Sequence, residues 1–387
     1  MPIIPAVEAL AADAQHWRRD LHSHPELDYD VGRTAKFVAD RLHAFGCDEV
    51  NMFIGRSGVV GIIRGRAGAG RTIGLRADMD ALPIHETTNL PWQSTNPGKM
   101  HACGHDGHTA MLLGAARYLA KTRDFAGTLA VIFQPAEEGG AGAKAMLDDG
   151  LMTRWPIEEV YGMHNAPSLP IGAFAIRKGP FLAAADRFTI TIEGRGGHAA
   201  QPHLGVDPIV AGAQIVVALQ SIVSRGADPL DSCVVSVTRF EAGTAFNVIP
   251  QSAQLLGTVR TLADATRAFA QRRLTEIAKG VGAAMGATID VQYVSGYPVT
   301  HNHPAQTDFA AGVARKIVGD AAVVANAPPI MGAEDFSYML EARPGAFIFV
   351  GNGDSAPLHH PGFDFNDAAL PYGMSYWVEL AQTALAA

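Results

Sequence analysis

Several strand-length runs, each leading into acidic or imidazole side chains, constrain this chain more than any other feature. Thr128 to Phe133 is a continuous apolar run followed by Gln134-Pro135-Ala136-Glu137-Glu138-Gly139-Gly140. Thr72 to Ala77 leads into Asp78 and Asp80, and Glu159 to Met163 into His164-Asn165. Ala346 to Val350 precedes a loop carrying Leu358-His359-His360-Pro361. Helical segments lie between these runs: Val7 to Leu21, Arg33 to Phe45 with a stop at Gly46, and Thr109 to Lys121 with Met111, Leu112, Ala115, Ala116 and Leu119 on its apolar face. Strands alternating with helices predict an α/β domain with a mixed, largely parallel sheet flanked by helices. Ligands gather beyond the carboxyl ends of strands in such sheets. Every metal-type residue named here is expected after a strand or in a loop, and none in mid-strand.

The middle of the chain follows another pattern. Phe188, Ile190 and Ile192 alternate with Thr189, Thr191 and Glu193, which marks a half-buried strand. A turn at Gly194-Arg195-Gly196-Gly197-His198 comes next, then a helix from Asp207 as N-cap and Pro208 in the first turn to about Arg225. Strands near Cys233–Phe240 and Val248–Val259, a helix from Asp264 to Ala284 and a strand from Thr288 to Val294 complete the order β-α-β-β-α-β, a split βαβ unit. Residues 182–297 are therefore expected to form an α+β, ferredoxin-like domain inserted into the α/β domain built from 1–181 and 298–387.

Composition narrows the function classes. The 387 residues are 48% hydrophobic and carry a formal charge of −8, with no basic stripe interleaved with aromatics, so nucleic acid is not an expected partner. The opening Met1-Pro2-Ile3-Ile4-Pro5 has neither a positive region nor a long apolar core, against a signal peptide. The best apolar run, Ile209 to Leu219, contains Gln214 and falls short of the ~20 residues that span a bilayer, so no membrane association is expected. Cys47, Cys103 and Cys233 are odd in number and widely spaced, unlike a disulfide framework. A reducing cytoplasm is the expected compartment, where Cys103 stays available to a metal.

His101-Ala102-Cys103-Gly104-His105-Asp106-Gly107-His108 concentrates a thiol, three imidazoles and a carboxylate, the donor types that bind transition metals. Cys103 and His105 are its expected ligands, with His101 and His108 supporting the loop. Adjacent carboxylates at Glu137 and Glu138 repel each other, a cost relieved if one binds a metal while the other holds a water. His164 adds an imidazole. His359 and His360 add at most one more, because neighbouring side chains before a proline point apart. Cys103, His105, Glu138, His164 and one of these two make five ligands, which suits two metals better than one tetrahedral ion. Cys103 is the natural bridge. Asp78 and Asp80 share a face after a strand and either orient ligands from behind or cap the turn. Zinc, manganese, cobalt and nickel all suit such a mixed donor set.

These residues resemble the metal-dependent N-acyl-amino-acid amidohydrolases, a family that includes hippurate hydrolases, auxin-conjugate hydrolases and bacterial aminoacylases. The resemblance is nearest to the hippurate hydrolase branch and covers nearly the whole chain. It begins at Arg18-Arg19-Asp20-Leu21-His22-Ser23-His24-Pro25-Glu26-Leu27 and continues through Leu75-Arg76-Ala77-Asp78-Met79-Asp80-Ala81-Leu82-Pro83, the Cys/His cluster, Phe133 to Glu138 and Gly162-Met163-His164-Asn165. In the insert it takes in Gly197-His198-Ala199-Ala200, Asn247-Val248-Ile249-Pro250 and Gly257-Thr258-Val259-Arg260, and it closes at Gly332-Ala333-Glu334-Asp335-Phe336 and Leu358-His359-His360-Pro361. The resemblance implies ligation of two divalent metals by Cys103, His105, Glu138, His164 and His359, with Glu137 as the catalytic carboxylate. It also implies that the α/β domain is catalytic and that the insert, 182–297, serves as a lid and for assembly into a homodimer or higher homo-oligomer. His360 departs from the family pattern, in which a single histidine precedes Ser-Pro or Asn-Pro, so the choice of His359 rests on alignment.

The implied reaction is hydrolysis of the amide joining an acyl group to an amino acid, a small-molecule substrate. Glu137 takes a proton from water and hands it to the leaving amine. His198 is expected to help stabilise the oxyanion, within its own chain or across a dimer interface, while Asn247 and Arg260 hold the substrate carboxylate. A dipeptidase or carboxypeptidase of the same mechanism is an alternative. Two further alternatives are a hydrolase with Cys103 as nucleophile and a metal-binding protein without catalysis.

Overall fold

A computed structural model of the chain describes residues 3–386. Met1 and Pro2, in the expected opening segment, and Ala387, at the expected end of the α/β domain, lie outside the described residues. The chain divides into two compact units, one formed by Met1–Gly179, His301–Pro328 and Asp335–Ala387 and the other by Pro180–Thr300 and Pro329–Glu334.

The first unit holds an eight-stranded sheet in the order Glu49–Ile54, Gly58–Arg64, Thr128–Gln134, Thr72–Asp78, Glu159–Pro167, Gly345–Gly353, Phe174–Ala175, Val323–Val324. The four strands from Thr128–Gln134 to Gly345–Gly353 pair in parallel, and antiparallel pairings flank them. The sheet is thus mixed with a parallel centre, as the alternation of elements predicts. Parallel strands are buried on both faces and need uninterrupted apolar sequence, which Thr128–Gln134 supplies from Leu129 onward. The helix His105–Thr122 packs against Ala11–Ser23, Gly32–Phe45 and Leu370–Ala384 and is buried at nearly every turn.

Local differences from the sequence reading have identifiable causes. The opening helix is split into Pro5–Glu8 and Ala11–Ser23. The helix expected from Thr109 starts at His105, so His105 and His108 lie in its first turn and not in a loop. Its N-cap, Gly104, has φ +95°, and a Cβ there would meet Asn165 Oδ1 at 2.3 Å; glycine is what lets the chain turn into the helix this early. His164 lies inside a strand, contrary to the expectation that no metal-type residue would. Pairing with the neighbouring strand continues past it, through Phe349↔His164 to Gly353↔Pro167. The edge strand Glu49–Ile54 escapes notice because its residues are half-exposed and lack a clean alternation.

In the second unit the antiparallel sheet runs Cys233–Ala242, Ser252–Thr261, Ala184–Glu193, Thr288–Val294. Helices Pro208–Leu219 and Asp264–Met285 pack together over this sheet, burying Ala211, Ile215, Leu219, Ala270, Leu274 and Ala278 against Ile190, Ile192 and Leu255. The strand expected over Val248–Val259 is broken. Val248–Ile249 pairs with Gly197–His198, and Pro250, which has no N–H to give a ladder, separates it from Ser252–Thr261. Helical structure continues beyond Leu219 through a wider turn, Ile222–Gly226. The whole stretch Pro208–Gly226 is 19 residues, long and apolar enough by length and composition to cross a membrane, unlike the shorter run read from sequence. Ile222 also belongs to this unit's core, so the extension serves a helix packed along one side on protein.

Candidate metal centre

The parallel register brings the acidic residues together. Asp78 stands opposite Gln134, so Asp80 and the Glu137-Glu138 pair leave adjacent strands side by side. The Asp80 carboxylate joins them, Oδ1 accepting the Glu137 N–H at 3.0 Å and Oδ2 the Glu138 N–H at 3.1 Å. The Asp80 carbonyl oxygen accepts from His105 Nδ1 at 2.9 Å. One residue therefore aims both carboxylates and an imidazole.

The donor atoms that converge are almost all lone pairs. Because His105 Nδ1 must donate to a carbonyl oxygen, a neutral His105 presents Nε2 as an acceptor. His164 Nδ1 likewise donates to the Asn165 carbonyl oxygen at 2.7 Å, and its Nε2 faces Cys103 Sγ at 3.3 Å. Glu138 Oε1 lies 3.9 Å from His105 Nε2 and 3.5 Å from His359 Nε2. His105 Nε2 and Glu138 Oε1 are buried without a hydrogen-bond partner, an arrangement that normally costs ~1–3 kcal/mol per group. A cation among them satisfies every one, so the residues fit a transition metal. Ligand atoms of Cys103, His105 and His164 lie within 4.8 Å of one another, as do those of Cys103, Glu138 and His359. Cys103 is common to both sets. His105, Glu137 and Glu138 form a further set.

The electrostatics of the cluster favour positive charge. Burial disfavours the charged form of His105, but Asp78, Asp80 and Glu138 outweigh it and push His105 up to about 10. Burial also opposes ionisation of Glu138, yet His359 and His105 lower it. For Cys103, burial together with Glu138, Glu137 and Asp78 holds the thiol well above its ordinary range. That is the reverse of an activated nucleophile, which needs an electropositive setting. Burial and His108 keep His164 well below the usual imidazole value. A bound cation would replace these protons by its own charge.

Asp78 sits behind the lone pairs. Its Oδ1 contacts His108 Nδ1 at 2.6 Å, its Oδ2 accepts from Arg76 Nη1 at 2.7 Å, and His105 Nε2 is 3.7 Å from Oδ2. Asp78, His105 and His108 also form a possible ligand trio, although the short contact to Asp78 engages His108. His101 is buried and in none of the ligand groups. His359 takes a left-handed backbone, φ +64°, and its side chain turns towards Glu138. The neighbouring His360 folds back, Nδ1 accepting the Gly362 N–H at 3.0 Å, and joins no ligand group among the described residues.

His198, Asn247 and Arg260 belong to the second unit. His198 pairs with Val248 across a short ladder, and the Asn247 carbonyl oxygen accepts the Ala199 N–H at 3.1 Å, so the first two lie side by side. Arg260 is far along the Ser252–Thr261 strand, opposite Ala185. Eight residues of strand beyond Ser252 amount to roughly 26 Å, so within one unit these three side chains do not converge. Arg76, Gln134, Asn165 and Asp335, all buried around the first unit's site, were not singled out as site residues from sequence. The available signal was Arg76 itself, a charged residue in the otherwise apolar run Thr72–Ala77.

The chain is similar to known proteins over nearly its whole length. Residues 74–383 match the model of peptidase family M20/M25/M40. The hippurate hydrolase of Campylobacter jejuni is 43% identical over 98% of this chain and 99% of its own length. The N-acetylcysteine deacetylase of Bacillus subtilis is 40% identical over 95% of this chain and 96% of its own. Among solved structures, the Bacillus subtilis YXEP protein, described as a dinuclear metal binding peptidase from the M20 family, superimposes with a TM-score of 0.85 at 36% identity, covering 98% of this chain and 99% of that one. The alternating strands, the converging lone pairs and these full-length likenesses agree: the chain belongs to peptidase family M20/M25/M40.

Proposed function

We propose that the protein is a metal-dependent amidohydrolase that cleaves the amide of N-acyl-L-amino acids, of hippurate type or with an acetyl or related acyl group. The observation that carries this reading is the convergence of the metal-ligating side chains Cys103, His105, Glu138 and His164 beside a second carboxylate, the buried Glu137. The likeness to a hippurate hydrolase and an N-acetylcysteine deacetylase supports the substrate class.

Cys103, His105, Glu138, His164 and His359 would hold two divalent ions, zinc, manganese, cobalt or nickel, with Cys103 shared. Bound there, the ions supply Lewis acidity that polarises the scissile carbonyl and brings the pKa of water down towards about 7. Glu137 takes the proton of the attacking water and delivers it to the nitrogen as the C–N bond breaks, releasing the carboxylic acid and the free amino acid. Asp80 holds Glu137 and Glu138 by their backbone N–H groups, and Asp78 keeps His108 and Arg76 in place behind them. His198 stabilises the oxyanion, and Asn247 and Arg260 hold the substrate carboxylate. The separation of His198 and Asn247 from Arg260 supports a homodimer in which two copies contribute to each site, with the second unit serving as lid and contact surface. Three free cysteines among the described residues support residence in the cytoplasm.

Metal analysis combined with hydrolysis of benzoyl-, acetyl- and indoleacetyl-amino acids, before and after chelation, tests the reading. Glu137→Gln should retain metal and lose turnover by at least ~100-fold, whereas Glu138→Gln should lose metal as well. Undiminished hydrolysis by Glu137→Gln, or full activity in chelator with loss on thiol alkylation, would overturn it.

A further inference from the structure

The Gly332-Ala333-Glu334-Asp335-Phe336 motif contains a residue that the proposed reaction leaves unused. Asp335 is fully buried. Its carboxylate accepts from Arg76 Nη2 at 3.0 Å, from Gln134 Nε2 at 2.7 and 2.9 Å, and from the Ala143 N–H at 2.9 Å. Arg76 continues outward, Nε donating to Gln134 Oε1 at 2.8 Å and Nη1 to Asp78 Oδ2 at 2.7 Å. In the other direction, the Asp335 backbone N–H donates to Glu137 Oε1 at 3.3 Å.

We infer that Asp335 is a positioning residue for Glu137. A carboxylate gripped by an arginine, a glutamine and a backbone amide has no freedom to turn, and the rigid guanidinium fork ties it to the ends of the Thr72–Asp78 and Thr128–Gln134 strands. Its own N–H is thereby fixed in space. The terminal torsion of a glutamate is otherwise broad, so this N–H helps to set the plane of the Glu137 carboxylate. A proton carrier must meet both the attacking water and the leaving nitrogen, and a misplacement of about 1 Å can cost ~100-fold in rate. A buried ion pair serving stability alone is often replaceable by apolar residues. This one stands a single hydrogen bond from the proton carrier.

The inference rests on Glu137 carrying the proton, and the test separates the two. Asp335→Asn places an amide NH2 against donors that now meet oxygen, which should shift the 334–336 backbone. With protein folded by circular dichroism and metal content unchanged, kcat should fall ~10–100-fold while KM stays within about threefold. In its crystal structure the contact between the residue 335 N–H and Glu137 Oε1 should be lost. Gln134→Glu combined with Asp335→Asn returns an acceptor opposite the new NH2 and keeps the net charge; it should regain kcat at least ~5-fold over the single variant. Gln134→Met, which removes one grip only, gives a milder loss and serves if Asp335→Asn does not fold. Folded, metal-loaded Asp335→Asn, or Gln134→Met in its place, with wild-type kcat overturns the positioning role. If Glu137→Gln is fully active, the proton-carrier reading itself has failed.

Discussion

The backbone N–H of His359 donates to the carbonyl oxygen of Ala102 at 2.8 Å. This one bond pins the loop after the Gly345–Gly353 strand against the residue before Cys103, across more than two hundred positions of chain. It also holds His359 in its left-handed conformation, an uncommon one for a non-glycine residue.

His359 and His360 should therefore behave differently. His359→Ala should weaken metal binding by at least ~10-fold, since even residues behind a ligand cost 10–100-fold when removed. His360→Ala, which loses a contact with Gly362 in its own loop, should keep metal and activity within about twofold. Metal content after dialysis against a buffered chelator, measured for both variants, checks this. Equal loss in the two would remove the assignment of His359.

The fold was largely legible because strand and helix periods survive in sequence wherever one face, or a whole strand, is buried. Thr128–Gln134 and Phe188 to Ile192 are examples. Boundaries were less legible where tertiary contacts decide them. The helix starts at His105 because Gly104 fits against Asn165, 61 residues away, and the strand runs past His164 because its parallel neighbour continues. In the site, residues with metal-binding donors announce themselves by type. Asp335 and Gln134 do not, because an aspartate or glutamine becomes informative only once Arg76 is known to lie between them. Whether His359 or His360 faces Glu138 depends on a backbone φ that spacing does not encode.

Asp80 should be among the residues least tolerant of an isosteric change. Its carboxylate accepts the N–H groups of Glu137 and Glu138, and Asp80→Asn would turn one acceptor into a donor facing a donor. Leaving a buried N–H unpaired costs ~1–3 kcal/mol, and disturbing the support of Glu138 and His105 should lower metal affinity ~10–100-fold. Urea unfolding of the metal-free protein reads the first effect, and metal titration reads the second. Wild-type values in both would show that the loop is held by other contacts.

Asp186 should give the second unit an acid-sensitive component of stability. Its buried carboxylate accepts from Arg267 Nε at 2.9 Å, Tyr293 Oη at 2.6 Å and the Gly296 N–H at 2.9 Å. Burial opposes its ionisation, but these partners outweigh burial and lower its pKa. A carboxylate depressed in the folded state contributes stability that is complete above its unfolded value, near ~3.9, and is lost as pH falls through the folded value. Asp186→Asn should thus be less stable by ~3 kcal/mol at pH 7, with the gap to wild type closing as pH drops below ~4. Urea unfolding at pH 7 and at a series of values from about 4 down to about 2 checks it. A gap that stays constant would assign the cost to packing and not to charge.

Gly104 joins helix and metal centre at one backbone position, so its substitution should damage both. Gly104→Ala must place a methyl group 2.3 Å from Asn165 Oδ1 while keeping φ at +95°. Left-handed backbone costs an L-residue ~1–2 kcal/mol, and the clash adds to it. Asn165 cannot retreat freely, because its backbone N–H donates to His108 Nε2 at 2.9 Å and His108 in turn contacts Asp78. Relief must instead come from the first turn of the helix, which carries His105. We expect stability to fall by at least ~2 kcal/mol and metal affinity to fall with it, whereas Gly98→Ala, at φ +77° with open space around it, should lose only the backbone term. Comparing the two variants by urea unfolding and metal titration isolates the contribution of the contact with Asn165. If Gly104→Ala binds metal as tightly as Gly98→Ala, then the helix start can shift without moving His105.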